Sequence, residues 1–220
     1  LKTLPENPNK IDPRIVLATT NVGPQSKAHE IKEALRDFPI TFCSLSEFPS
    51  FPPVIEDQPT FLGNALKKAR ETALYTGLPA LADDSGLVVT ALGGRPGIHS
   101  ARYAGEKPTD TENGQKLLFE MKNIPEKDRS ASFICILALA TPDGRELTVQ
   151  GECSGMIFRE PRGELGFGYD SLFYLPELGK TMAELPLEEK NRVSHRGKAL
   201  QALRQKMNGH SFSEWIGFDR

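Results

Sequence analysis

Apolar residues recur along the chain with two spacings. Residues 14–19 (RIVLAT) form a short β-branched run that ends in the polar stretch TTNVGPQS, which predicts a strand feeding a loop. Residues 28–35 then place Ile31, Ala34 and Leu35 at helical spacing. The segment 39–59 is proline-rich and predicts loop, with a strand over 40–43. Residues 60–75 carry the clearest helix: Thr60 stands as N-cap, and Leu62, Ala65, Leu66, Ala69 and Ala73 fall in one stripe. Asn64 and Lys68 lie one turn apart along the edge of that stripe, where a side chain can leave the core and reach into a cleft. Residues 79–82 read as a buried strand stopped by Asp83-Asp84-Ser85-Gly86, and residues 87–92 as another strand before the turn-rich GGRPG. A helix is predicted over 109–121. Strands over 130–141 and 146–153 flank Pro142-Asp143-Gly144, a hairpin turn. Residues 158–174 are glycine-rich with aromatics, and Ser194 caps a final helix with Ala199, Leu200, Leu203 and Met207 on one face. Strand–helix alternation followed by antiparallel pairing predicts an α/β fold, a mixed sheet flanked by helices.

No repeat, low-complexity tract or linker divides the chain, so residues 14–220 read as a single domain. The first thirteen residues hold three prolines and no apolar stretch, and read as a flexible leader rather than a signal peptide. Composition narrows the function classes. With 38% apolar and 25% charged residues, the 220-residue chain can build a core. Lys and Arg total 27 against 29 Asp and Glu, a net charge of −2, which disfavours nucleic acid and anionic membranes as partners. The longest apolar run, residues 133–140, is far too short to span a bilayer. Three scattered cysteines, none in a C-x-x-C pair, argue against a disulfide framework or zinc site and for a reducing, cytoplasmic compartment.

Four stretches could carry chemistry. Asp83-Asp84-Ser85 after an apolar strand offers hard oxygen ligands suited to Mg²⁺ at the mouth of a sheet; an ordinary acidic turn explains it equally well. The loop Thr19-Thr20-Asn21-Val22-Gly23-Pro24-Gln25-Ser26-Lys27, between a strand and a helix, could hold phosphate oxygens, yet it lacks the Walker A pattern and a plain βα turn is the simpler account of it alone. Residues 180–206 carry seven Lys or Arg against three Asp or Glu, which suits an anionic ligand or a solvated helix face; His195 and Arg196 there can donate to carbonyl oxygens. In Gly166-Phe167-Gly168-Tyr169-Asp170, flanking glycines let a ring approach a flat ligand, or kink a strand around core aromatics. Carboxylates, a phosphate loop, cations and an aromatic platform together are what a nucleoside polyphosphate needs.

TFLGNALKKA (60–69), ADDSGLVVTALGGRPGIHSARYAG (82–105) and GFGYDSLFYLPELGKTMAELPLEEKNRVSHRGKAL (166–200) closely resemble the inosine/xanthosine triphosphate pyrophosphatase family, over about residues 14–203. The resemblance implies Mg²⁺-dependent hydrolysis of (d)ITP and XTP to the monophosphate and pyrophosphate, which cleanses the nucleotide pool, by a cytoplasmic homodimer. It implies an elongated, twisted mixed sheet with two lobes around a central cleft. By position, Asp84 is the catalytic carboxylate and a metal contact with Asp83 in support, and Glu56 is the second metal residue. Lys68 offsets negative charge; Thr19, Asn21 and Lys27 hold the phosphate tail; Asn64 and Ser85 face the substrate. Phe167, Gly168, Tyr169 and Asp170 form the base-binding stretch with Phe167 stacking, while Lys190, His195 and Arg196 recognise the purine, with protonated His195 and Arg196 as donors to a 6-keto oxygen.

The chain departs from the family pattern in the phosphate loop. Thr20 replaces a glycine, Pro24 stands in the lysine position, and Lys27 follows three inserted residues, so Lys27 substitutes only if the loop bulges. Gly63, Ile55, His99 and Ser171 are further departures at the periphery. A nucleotide-binding regulator with little turnover is the alternative that the altered loop favours. A haloacid-dehalogenase-type phosphatase needs Asp-x-Asp, which Asp83-Asp84-Ser85 lacks.

Overall fold

The structure is a computed structural model and describes residues 14–24, 26–48 and 50–208; the expected leader lies outside them. Seven strands form one mixed sheet: β1 (Arg14–Leu17), β2 (Thr41–Ser44), β3 (Ala80–Val89), β4 (Ser130–Ala140), β5 (Glu146–Ile157), β6 (Phe173–Leu175) and β7 (Lys180–Thr181), in the order β2-β1-β3-β4-β5-β6-β7. The first three strands are parallel and the rest antiparallel. The parallel part needs crossovers, supplied by α1 (Lys27–Ala34) and α2 (Phe61–Thr76). α3 (Asp110–Glu120) precedes the β4–β5 hairpin, and α4 (Leu187–Val193) and α5 (His195–Met207) close the described chain. No helix among the described residues is long and apolar enough to cross a membrane.

Residues Ile15, Val16 and Leu17 are all buried, as expected of a parallel strand covered on both faces. One face, with Ile15, Leu17, Leu81, Cys135 and Leu137, packs against Ile31 and Leu35 of the α1 region and Ala199, Leu200 and Leu203 of α5. The other face, with Val16, Ala80, Ala82, Ile136 and Ala138, packs against Ala65, Ala69 and Ala73 of α2. Alanines at four-residue spacing on α2 meet alanines of β3 and β4, so the helix settles close to the sheet and carries Lys68 to the edge of β3. On the opposite face, Gly151 of β5 plays the same part for α5. A Cβ there would stand 2.0 Å from the His195 carbonyl oxygen and 2.4 Å from the Ala199 nitrogen, so only glycine lets the start of α5 rest on the sheet.

The expected helices and strands are present, β6, β7 and α4 are additional, and the reading of residues 83–92 is corrected. Asp83-Asp84-Ser85-Gly86 does not stop a strand: β3 runs unbroken through it, paired with β4 from Ala80↔Ala140 to Val89↔Ala131. Acids and glycine are poor strand formers, but ten consecutive cross-strand partners outweigh that local preference. The strand expected over 87–92 is the end of β3 followed by a 3-10 turn, Thr90–Leu92.

Candidate active site

The site is a consequence of unequal strand lengths. β1 pairs with β3 only at Val16↔Ala80 and Leu17↔Leu81, so beyond Leu81 the β3 edge has no strand beside it. The chain leaving β1, the start of α1, residues 51–56 and α2 surround that bare edge. They enclose a cavity of about 770 Å³ whose lining includes Thr19, Asn21, Lys27, Glu56, Lys68 and Asp83. Because strand side chains alternate, Asp83 and Ser85 point to the α1/α5 face while Asp84 points to the α2 face. The two neighbouring acids therefore enter different networks.

On the α2 face, the Lys68 ammonium donates to Glu56 Oε1 at 2.7 Å, to Asp84 Oδ1 at 2.8 Å and to the Asp83 carbonyl oxygen at 2.8 Å. Arg102 lies 3.5 Å from Glu56 Oε2. Burial pushes the Asp84 carboxyl above its ordinary value, against the pull of Lys68. Burial would also raise Glu56, but Lys68, with Lys27 and Arg102, outweighs it and holds Glu56 below the usual range. The result is one carboxylate that is more basic than in water beside one that stays ionised. Mg²⁺ takes one or two protein carboxylates and fills its remaining positions with phosphate and water oxygens. Glu56 and Asp84, converging on one ammonium from separate segments, fit an ion that arrives with a polyphosphate. No group of three or more His, Cys, Asp or Glu gathers among the described residues, so a cage built wholly from protein is not on offer.

On the α1/α5 face a line of alternating charges runs through the interior. Lys190 donates to Asp170 Oδ2 at 2.8 Å and to Glu30 Oε1 at 2.8 Å. Arg196 donates to Glu30 Oε2 at 2.6 Å and to Asp83 Oδ2 at 2.8 Å, and Lys27 pairs with Asp83 Oδ1. Every member except Lys27 is buried. Burial opposes ionisation of Asp83, yet Arg196 and Lys27 hold it well below the usual carboxylate range. Glu30 is lowered in the same way by Arg196 and Lys190. Ser85 Oγ donates to the Asp83 carboxylate at 3.0 Å and lies 3.4 Å from Arg196 Nη2.

Phe167 stands at the far end of this line, half-buried, with Lys190 Nζ 4.9 Å and Arg196 Cζ 5.5 Å from its ring centre. Its backbone N–H donates to Asp170 Oδ2 at 3.0 Å. Tyr169 is buried and its hydroxyl donates to the Ser100 carbonyl at 2.9 Å.

The described residues after β1 wrap around the start of α1. Asn21 Oδ1 accepts the Lys27 N–H at 2.8 Å, Thr19 Oγ1 accepts the Asn21 N–H at 3.1 Å, and Ser26 caps α1. Lys27 thus opens the helix and turns its ammonium to Asp83. Two expectations change. Asn64 does not reach the cleft: it is fully buried, and its Oδ1 accepts the Gln58 N–H at 3.0 Å, which ties down the irregular segment before α2. His195 is not a protonated donor. It is buried with its ring stacked 4.6 Å from Phe133, and burial together with Arg196 lowers its pKa well below the ordinary value, so it is neutral. Glu30 was not expected at all. Its signal was available: Lys27, Glu30, Ile31 and Ala34 follow the i, i+3, i+4, i+7 spacing of one helix face, which puts a carboxylate on an apolar stripe.

The chain is similar to known proteins over most of its length. The Ham1 family model matches residues 15–206. A dITP/XTP pyrophosphatase of Geobacter sulfurreducens is 55% identical over 191 residues, 87% of this chain and 94% of that protein. One from Thermus thermophilus is 53% identical over 190 residues, 86% of this chain and 89% of its own length. A solved HAM1 protein from Coxiella burnetii superposes with a TM-score of 0.80 at 47% identity, covering 88% of this chain and 98% of that one. The Ham1 protein of Staphylococcus aureus gives 0.79 at 41% identity, covering 89% and 98%.

Proposed function

The chain belongs to the Ham1 family, and we propose that it hydrolyses deaminated purine nucleoside triphosphates such as dITP and XTP to the monophosphate and pyrophosphate. The observation that carries this reading is the bare edge of β3, where Asp84, Lys68 and Glu56 meet on one side and Asp83, Lys27 and Arg196 on the other. On the family pattern the enzyme is a cytoplasmic homodimer with two lobes, and the opening beside β3 is its cleft.

Glu56 and Asp84 would hold Mg²⁺, which would supply positive charge to offset that of the triphosphate. Asp84 takes the proton of a water whose oxygen forms a bond to the α-phosphorus. The bond from that phosphorus to the α–β bridging oxygen breaks, and pyrophosphate leaves. Lys68 and Lys27 give their ammonium charges to the phosphate oxygens, so catalysis is mainly positioning and charge neutralisation. Thr19 and Asn21 shape the loop for the tail, and Ser85 with Asp83 keeps Arg196 in place.

Purine choice follows from donor patterns. Hypoxanthine and xanthine carry a 6-keto acceptor where adenine carries an amino donor. Lys190 and Arg196 only donate, and three Arg196 N–H groups are already committed to Glu30, Asp83 and Ser85, which fixes the direction of the remainder. A purine stacked on Phe167 meets those donors. Adenine leaves them unpaired at about 1–3 kcal/mol each. Neutral His195 keeps a single N–H, so the charged donors for selection are Arg196 and Lys190. The test is a panel of dITP, XTP and dATP with Mg²⁺, scored for pyrophosphate against orthophosphate. Pyrophosphate from dITP and XTP, at a kcat/KM at least tenfold above dATP, is the expected result. Orthophosphate as product, or tight nucleotide binding without turnover, contradicts it; the latter outcome identifies a nucleotide-binding regulator.

A further inference from the structure

The loop that carries Phe167 is tied down by a residue far from it in sequence. Gly168 has φ +65°, a left-handed conformation that no side chain needs to vacate space for, since nothing lies within 4 Å of its Cβ position. In the turn that contains it, two successive N–H groups meet carboxylates. The Phe167 N–H meets Asp170 Oδ2 at 3.0 Å, within the loop itself. The Gly168 N–H meets Asp110 Oδ2 at 2.6 Å, on the first turn of α3.

Asp110 is not needed to start its own helix. Thr109 caps α3 and forms a reciprocal pair with Glu112, whose side chain accepts the Thr109 N–H at 2.7 Å. The Asp110 carboxylate is therefore free for the loop. The same block holds the neighbouring 3-10 turn Gly97–Arg102: Asn113 of α3 accepts the Ala104 N–H at 2.8 Å, and Ser100 in that turn accepts the Tyr169 hydroxyl. Two bonds thus fasten residues 166–170 to the α3 block, one buried at Tyr169 and one exposed at Gly168. The exposed one sits directly beside the ring.

We propose that Asp110 is a positioning residue for base binding: by accepting the Gly168 N–H it fixes the turn that presents Phe167 opposite Lys190 and Arg196. The proposal rests on the reading of Phe167 as the stacking ring. A charge-assisted bond to a backbone N–H at the surface holds the loop in its binding conformation rather than touching the reacting phosphorus. Its loss therefore acts on substrate affinity and leaves the chemical step alone.

Steady-state kinetics of the full chain with dITP and Mg²⁺ test this with Asp110→Ala, Asp110→Asn, Phe167→Ala and the Asp110→Ala/Phe167→Ala pair. Asp110→Ala should raise KM roughly three- to tenfold with kcat within twofold of the starting protein. Asp110→Asn keeps an acceptor oxygen and should restore most of the affinity. In the Phe167→Ala background, Asp110→Ala should add no further rise, because the ring it positions is gone. An unchanged KM for Asp110→Ala, alongside a raised KM for Phe167→Ala, overturns the positioning role and leaves the base-loop reading standing. An unchanged KM for Phe167→Ala overturns that reading and the proposal with it. Equal losses of kcat and thermal stability in both Asp110 variants mark a purely structural contact and also overturn it.

Discussion

Asp84→Asn lowers kcat/KM for dITP by about 10²–10⁴, the span of a positioned acid–base group. The side chain keeps its size and an oxygen for the Lys68 ammonium, now 2.8 Å away, so the fold is left almost undisturbed. What disappears is the ability to accept a proton. Asp84 suits that task because burial raises its pKa, which makes it more basic than in water, while Lys68 favours its charged form. The active form is the carboxylate, so kcat/KM of the unaltered enzyme falls as pH drops through the raised Asp84 value, and this acid limb lies above the ordinary aspartate range. Glu56, held low by Lys68 against its burial, remains ionised across that limb and does not confuse it. Initial rates across pH for both proteins check the prediction. Turnover of Asp84→Asn within tenfold of the parent contradicts the assignment.

Glu30→Ala destabilises the protein by about 3–5 kcal/mol, the range for removing one partner from a buried ion pair. Glu30 is 2% exposed and stands between Lys190 and Arg196, which are 4% and 2% exposed. Without it, each cation keeps a single carboxylate, Asp170 or Asp83, and an alternating line becomes one with two adjacent positive charges. A domain of this size loses roughly 2–4 °C per kcal/mol, so the thermal midpoint should fall by roughly 6–20 °C. The linkage has a defined sign. Glu30 has a depressed pKa in the folded protein, so its contribution is present above the unfolded glutamate value and is lost as pH falls through the folded one. The gap between Glu30→Ala and the parent should therefore narrow in acid. A midpoint shift under 2 °C at neutral pH contradicts the role given to Glu30.

Much of the fold was legible because the apolar pattern was strong where packing decides structure. The α2 stripe of Ala65, Ala69 and Ala73, the β4–β5 hairpin around Pro142-Asp143-Gly144 and the Ser194 cap of α5 all lie where the sequence puts them. What escaped was decided by partners distant in sequence. Asp83 and Asp84 look like a turn until β4 is laid beside them. β6 and β7 have three and two residues, too few for any periodicity to declare itself. The charged run 180–206 suits an anionic ligand or a solvated helix face; within it, α4 turns Lys190 inward, toward Glu30 in a helix some 160 positions earlier. The site was legible as residue types and not as wiring. Lys27 pairs with Asp83 and Lys68 with Asp84 across long stretches of sequence, while His195 stacks on Phe133 and Asn64 holds Gln58, contacts that no local motif points to.

The most direct measurement of the central claim follows the attacking oxygen. Hydrolysis of dITP by the intact protein with Mg²⁺ in ¹⁸O-labelled water, with both products examined by mass spectrometry, reports which phosphorus is attacked. Attack at the α-phosphorus beside Asp84 places one label in the nucleoside monophosphate and none in pyrophosphate. Label in pyrophosphate instead, with an unlabelled monophosphate, contradicts the account.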